Sequence, residues 1–209
     1  MKRVHNFSAG PAALPLEVLE QAQAEFTNYQ NSGSSIMEMS HRGAEYTQVD
    51  AEAKDTLKRI LNLGEDFEIL FLQGGASLQF LQLAMNFLGE GETADYINTG
   101  AWSDKAIKEA KPFGDVNIPF SSKDANYNKV PANAELNLSE NAKYVHYTSN
   151  NTIFGTQFAK EPETNGVPLI CDASSDFLSR PIDVQKYGMI YAGAQKNLGP
   201  SGVAVVIIK

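Results

Sequence analysis

Lys196 has the most unusual chemical setting in this sequence. It lies within Tyr191-Ala192-Gly193-Ala194-Gln195-Lys196-Asn197-Leu198-Gly199-Pro200-Ser201-Gly202, where small residues leave room for something bulky. Apolar neighbours disfavour a free ammonium and favour an amine able to react. Asp172 stands 24 residues earlier, directly after the apolar run Val167 to Cys171. A carboxylate there is expected to be partly buried and so to need a partner, or else to cap the turn Ala173-Ser174-Ser175. Trp102 is the only tryptophan in the chain and offers either a flat face to a ligand or plain core packing. Gly74-Gly75-Ala76-Ser77 follows another apolar run and opens a helical pattern. Such a turn can present backbone N–H groups to a phosphate, or can be a glycine turn with Ser77 as a cap. It matches neither the dinucleotide fingerprint nor the P-loop. Ser149-Asn150-Asn151-Thr152 is a polar loop whose plainest role is an Asx-type turn.

Taken jointly, these pieces suit pyridoxal phosphate. That cofactor needs a lysine for its Schiff base and a carboxylate that keeps the pyridine nitrogen protonated. It also needs a phosphate cup at a helix N-terminus and an aromatic stacked on its ring. The sequence supplies one candidate for each part.

The elements that must position them follow from hydrophobic periodicity. Residues 1–15 read as an irregular arm. Pro15 then sits at a plausible first helical position, and Val18, Leu19, Ala22, Phe26 and Tyr29 form a stripe that Asn31-Ser32-Gly33 stops. A link with Ser40-His41-Arg42-Gly43 precedes a second helix, whose face carries Tyr46, Val49, Ala53, Leu57, Ile60 and Leu61. Phe67 to Leu72 is a near-continuous apolar run, expected to be a strand covered on both faces. Helices are expected over Leu78 to Leu88 and over Trp102 to Lys111, the latter with Ser103 as a possible cap. Strands are expected at 94–98, 116–120, 144–148, 167–171, 189–192 and 202–208. This alternation predicts an α/β fold: a mostly parallel sheet covered by helices on both faces, with residues 16–209 as one cofactor-binding domain. In such sheets ligands bind beyond the carboxyl ends of the strands, where every candidate above falls. A last residue flush with a core strand points to a longer chain.

The segments Asn6-Phe7-Ser8-Ala9-Gly10-Pro11, Ser40-His41-Arg42-Gly43, Gln73-Gly74-Gly75-Ala76-Ser77, Ser179-Arg180-Pro181-Ile182-Asp183 and Tyr191 to Pro200 resemble, in order, those of the phosphoserine aminotransferases. These are homodimeric fold-type-I pyridoxal-phosphate enzymes of serine biosynthesis, and some relatives also serve pyridoxine synthesis. The resemblance implies transamination between glutamate and 3-phosphohydroxypyruvate, giving phosphoserine and 2-oxoglutarate. It implies that Lys196 forms the Schiff base, Asp172 pairs with the pyridine nitrogen, Trp102 stacks on the ring and Thr152 bonds the phenolic oxygen. Ala76, Ser77 and Gln195 would serve the cofactor phosphate, and Arg42 with His41 an anionic group of the substrate. Some members carry arginine where this chain has Ser77. A C-terminal small domain is implied beyond residue 209.

Other readings are a different fold-type-I enzyme, such as an alanine–glyoxylate type aminotransferase or a cysteine desulfurase, or a non-catalytic dimerising scaffold. The single cysteine, Cys171, excludes an intrachain disulfide and a multi-cysteine zinc site, and its place in a strand suits no mobile nucleophile. No metal site is expected. Seventeen Lys+Arg against 25 Asp+Glu give a net charge of −8, which argues against a nucleic-acid partner. No apolar run is long enough to span a membrane, and the first residues lack the apolar core of a signal peptide, so a cytoplasmic location is expected. On that expectation the three Asn-x-Ser/Thr sequences, at Asn6, Asn137 and Asn150, are coincidences.

Overall fold

The structure, a computed structural model, describes residues 3–209. They form two compact units, one ending at Asp66 and the other running from Phe67 to Lys209.

In the first unit the arm is exposed and is tied back where the Arg3 guanidinium donates to the Leu14 carbonyl at 2.8 Å. Helix α1 (Leu16–Glu25) begins one residue after Pro15, which takes the N-cap place rather than the first helical one. The helix also stops earlier than its stripe suggests. Tyr29–Asn31 is a separate 3-10 turn in which Gln30 and Asn31 have φ of 45° and 62°, a conformation that no helix can propagate. Helix α2 (Ala44–Leu61) closes on Asn62 in the left-handed conformation, a usual stop for asparagine. Its stripe is narrower than expected: Leu57 and Leu61 are buried, whereas Tyr46 and Ile60 are exposed.

The second unit is built on a seven-stranded sheet. Its strands are β1 (Glu68–Leu72), β2 (Thr93–Tyr96), β3 (Asp115–Asn117), β4 (Val145–Thr148), β7 (Leu169–Asp172), β8 (Tyr187–Gly193) and β9 (Ala204–Ile208), in the order β1-β9-β8-β7-β4-β2-β3. The hairpin of β5 (Asn150–Asn151) and β6 (Thr156–Gln157) stands apart. From β8 to β3 every pairing is parallel, and β9 alone runs against its neighbours β8 and β1. The mostly parallel sheet read from the sequence is therefore present. β4 and β7, at its centre, are buried at all four positions, as expected of strands covered on both faces.

β1 departs from expectation. Among the described residues it is an edge strand paired only with β9, and Glu68 and Leu70 are exposed. Two other strands are shorter than their apolar runs because proline has no N–H for the ladder. Pro119 lies beyond the end of β3, and Pro168 precedes the start of β7.

Helices α3 (Gly75–Phe87) and α4 (Ala101–Ala110) pack on each other and on one face of the sheet. Phe80, Leu83 and Ala84 of α3 and Ala106, Ile107 and Ala110 of α4 meet Ala94, Tyr96, Ile170, Met189 and Tyr191 there. This core carries polar atoms. The Tyr96 and Tyr144 hydroxyls lie 2.7 Å apart, and His146 Nε2 lies 2.8 Å from the Tyr191 hydroxyl. The His146 ring stacks on Tyr96 at 4.7 Å. Among the described residues no helix is long and apolar enough to cross a membrane.

Candidate active site

The carboxyl ends of β1, β2, β4, β7 and β8 share one edge of the sheet, and the loops leaving them enclose a cavity of about 130 Å³. It is lined by Ala76, Ser77, Trp102, Asp172, Gln195 and Lys196, together with Gly75, Phe80, Asn150, Ser174 and Ser175. Six of the residues proposed from sequence therefore converge, although they come from four separate strand ends. Thr152 joins them through its hydroxyl, which accepts a short hydrogen bond from Lys196 Nζ. Lys196 Nζ also lies 5.2 Å from the centre of the Trp102 ring. His41 and Arg42 belong to the first unit, in an exposed turn just before α2.

Each side chain is set locally. The turn after β1 puts Gly74 at φ 90°, where a Cβ would come within 2.4 Å of Leu78, so only glycine fits. No side chain caps α3, and the first-turn N–H groups of Gly75, Ala76 and Ser77 remain available at the cavity wall. After β2, Gly100 lets Asn151 approach so closely that a Cβ would sit 2.4 Å from its amide carbon. Asn151, fully buried, then accepts from the Trp102 backbone N–H at 3.1 Å and donates to Thr99 Oγ1 at 3.0 Å. Ser103 is not the cap of α4. It lies three residues into the helix and turns back, its Oγ accepting from the N–H groups of Thr99 and Gly100, both at 3.0 Å. Trp102 is half-buried against the core, and its indole N–H has no partner among the described residues. Lys105, one turn further along α4, holds its ammonium 4.3 Å from the indole ring centre.

Asp172, 3 % exposed, ends β7. Its Oδ1 accepts from the Ser174 N–H at 3.0 Å and from the Ser174 hydroxyl at 2.6 Å, leaving Oδ2 without a donor among the described residues. Burial pushes this carboxyl above its usual range, against the Ser174 hydrogen bonds and the charge of Lys196. Burial likewise pushes the Lys196 ammonium below its usual value, against the pull of Asp172 and Asp176. The site thus holds a carboxyl and an amine whose charges are both disfavoured until a charged or planar partner enters. Cys171 is buried and its thiol is pushed well above its ordinary range, so it is no nucleophile.

A larger surface cleft of about 1040 Å³ includes Leu169 and Lys186, at the opposite ends of β7 and β8. Its half-buried carboxylate, Glu161, is already engaged by Arg180, Lys186 and Tyr187. Among the described residues it gathers no lysine–carboxylate pair like that of the smaller cavity. Among the described residues no cluster of His, Cys, Asp or Glu could hold a metal ion.

Sequence reasoning did not single out Phe80 or the supporting roles of Ser174 and Asn151. For Ser174 the serine two residues after Asp172 was a usable signal, since such a pair commonly closes an Asx-type turn. Asn151 is 49 residues from Trp102, and nothing in the sequence announces that bond.

An open, mostly parallel sheet with a lysine, a carboxylate, an aromatic face and free helix N–H groups at one edge has the layout of an aminotransferase large domain. The chain belongs to the class-V aminotransferase family, whose model matches residues 4–209. It is 58 % identical over 208 residues to the phosphoserine aminotransferase of Niallia circulans, covering 100 % of this chain and 58 % of that protein. The structure of a phosphoserine aminotransferase from Bacillus circulans subsp. alkalophilus superposes with a TM-score of 0.95 at 58 % identity, covering 99 % of this chain and 57 % of that one. A pyridoxal-phosphate-bound phosphoserine aminotransferase from Trichomonas vaginalis superposes with a TM-score of 0.91 at 49 % identity, covering 99 % and 58 %. The chain thus spans a little under three fifths of the length of such relatives.

Proposed function

We propose that this protein is the pyridoxal-phosphate-binding large domain, residues 16–209, of a transaminase that moves the amino group of glutamate to 3-phosphohydroxypyruvate, giving phosphoserine and 2-oxoglutarate. The observation that carries this reading is the meeting of Lys196, Asp172 and Trp102 in one cavity at the carboxyl edge of the sheet. The relatives named above support the choice of cofactor and substrates. The residues present fit the cofactor: Asp172 Oδ2 lacks a donor, the first turn of α3 has N–H groups to spare, and an indole face borders the amine.

When bound, the cofactor supplies an aldehyde that joins amines and a protonated ring that draws electrons away from the substrate carbon. Lys196 Nζ is the amine that would hold it. Its depressed pKa raises the fraction of unprotonated amine, and the same nitrogen can then carry a proton to and from the reacting carbon. Thr152 Oγ1 fixes the direction of Nζ. Asp172 would hold the proton on the ring nitrogen through Oδ2, while Ser174 keeps the carboxyl from turning. The N–H groups of Ala76 and Ser77, with the Gln195 side chain, would hold the phosphate. Arg42, with His41, would bind an anionic group of the substrate, since a guanidinium offers paired donors to phosphate or carboxylate. The reading extends to a cytoplasmic homodimer acting in serine synthesis.

The test is amino transfer from glutamate to 3-phosphohydroxypyruvate, followed as 2-oxoglutarate, by the intact protein supplied with pyridoxal phosphate. Turnover with this pair and not with alanine and glyoxylate supports the reading. Release of sulfide from cysteine would replace it with a desulfurase.

A further inference from the structure

Trp102 is expected to stack on the cofactor, and its ring packs against the core with no hydrogen bond to fix its angle. A buried indole N–H generally finds an acceptor, which then fixes the ring. Here Nε1 is buried and unpaired among the described residues, and only the Trp102 backbone N–H donates to Asn151. Two ammonium groups lie over the ring instead. Lys196 Nζ, at 5.2 Å, is tied to Thr152 and is the amine expected to react, so its place changes during turnover. Lys105 Nζ is closer, at 4.3 Å, and is not among the cavity's lining residues. It follows Trp102 by three positions on α4, the spacing at which helix side chains overlie one another. Lys105 makes no ion pair among the described residues, and the neighbouring carboxylate of Asp104 is already taken up by Lys123, Asn98 and Tyr127. The indole face is therefore the partner that this ammonium has.

We infer that Lys105 is a positioning residue for the cofactor: its ammonium, seated on the Trp102 indole, holds the ring in the plane that stacks on the pyridine. The inference rests on the cofactor reading above and adds to it a residue outside the cavity wall. An indole that packing alone holds would have to be brought into that plane when the cofactor binds. The cation orders it beforehand, so that cost does not fall on binding. A cation over an indole at a partly exposed site corresponds to roughly a fivefold change in an equilibrium.

The experiment compares wild type, Lys105→Met and Lys105→Arg as intact proteins. Methionine keeps the length of the stem and removes the charge, while arginine keeps a cation able to sit on the ring. Emission anisotropy of Trp102 is measured without cofactor and taken as the difference from a Trp102→Phe variant. Pyridoxal phosphate affinity is then measured by titration. Lys105→Met should lower the anisotropy and weaken cofactor binding about fivefold, and Lys105→Arg should restore both. Unchanged anisotropy in Lys105→Met would overturn the inference. So would weaker binding without an anisotropy change, since the lysine would then act only through long-range charge. Failure of wild type to bind pyridoxal phosphate would instead count against the cofactor reading, because the anisotropy is measured without it.

Discussion

Lowering the pH should weaken this fold through one side chain, His146. Its ring lies wholly inside the core, stacked on Tyr96, with Nε2 bonded to the Tyr191 hydroxyl and Nδ1 unpaired among the described residues. Burial pushes its pKa down to about 3 from the ordinary 6.5. Unfolding frees the ring to take up a proton, so the unfolded chain binds more protons across that interval. Stability is therefore fully present above about pH 6.5 and is lost as the pH falls toward 3. Between pH 8 and pH 5 the loss from this group alone is about 2 kcal/mol, and the full interval is worth about 5 kcal/mol. Urea unfolding of wild type and His146→Gln at both pH values measures it. Carboxylates contribute to both proteins and cancel, and the other two histidines, His5 and His41, are exposed. The variant should start less stable, having lost the ring's packing, but its further drop between pH 8 and 5 should be about 2 kcal/mol smaller. Equal drops in the two proteins would refute the argument that burial keeps this ring neutral.

Asp172→Asn should slow transamination more than tenfold, since an amide cannot hold the ring proton, a loss of at least about 1.4 kcal/mol in barrier. The same variant should be more stable to urea than wild type at pH 8 without cofactor. Burial raises the carboxyl's pKa, so its favourable contribution belongs to low pH and is lost as the pH rises through the folded value. A less stable variant with near-normal turnover would contradict both statements. Gly100→Ala should cost about 1–3 kcal/mol of stability, because the new methyl meets Asn151 at 2.4 Å and must displace the group that holds the Trp102 backbone. A melting temperature equal to wild type would show that Asn151 moves freely. Arg42→Lys should raise the KM for the phosphorylated substrate with cofactor affinity unchanged, and an equal loss of cofactor in equilibrium dialysis would reassign the residue.

Much of the site was legible because α/β chemistry collects at strand ends, and strand ends can be read from apolar runs followed by glycine or polar residues. Lys196, Asp172 and Trp102 each follow such a run, so their order along the chain translated into one edge of the sheet. What an apolar run does not encode is its place in the sheet. Phe67 to Leu72 looked like an inner strand and is an edge strand, because β9, more than 130 residues on, is its one neighbour among the described residues. The helical stripe through Phe26 and Tyr29 ran past the real end of α1, since two residues with positive φ interrupt the backbone without disturbing the pattern of side chains. Pairings between distant polar residues were not legible at all. His146 and Tyr191 are 45 residues apart, and only the register of β4, β7 and β8 brings them together.

The central claim is that Lys196 Nζ is the amine that takes hold of pyridoxal phosphate. Borohydride reduction of the protein loaded with pyridoxal phosphate, followed by digestion and peptide mass mapping, reads this directly. The account predicts a phosphopyridoxyl group on the peptide containing Lys196 and on no other, absent from Lys196→Ala. Equal labelling of several surface lysines, or an undiminished label in Lys196→Ala, would contradict it.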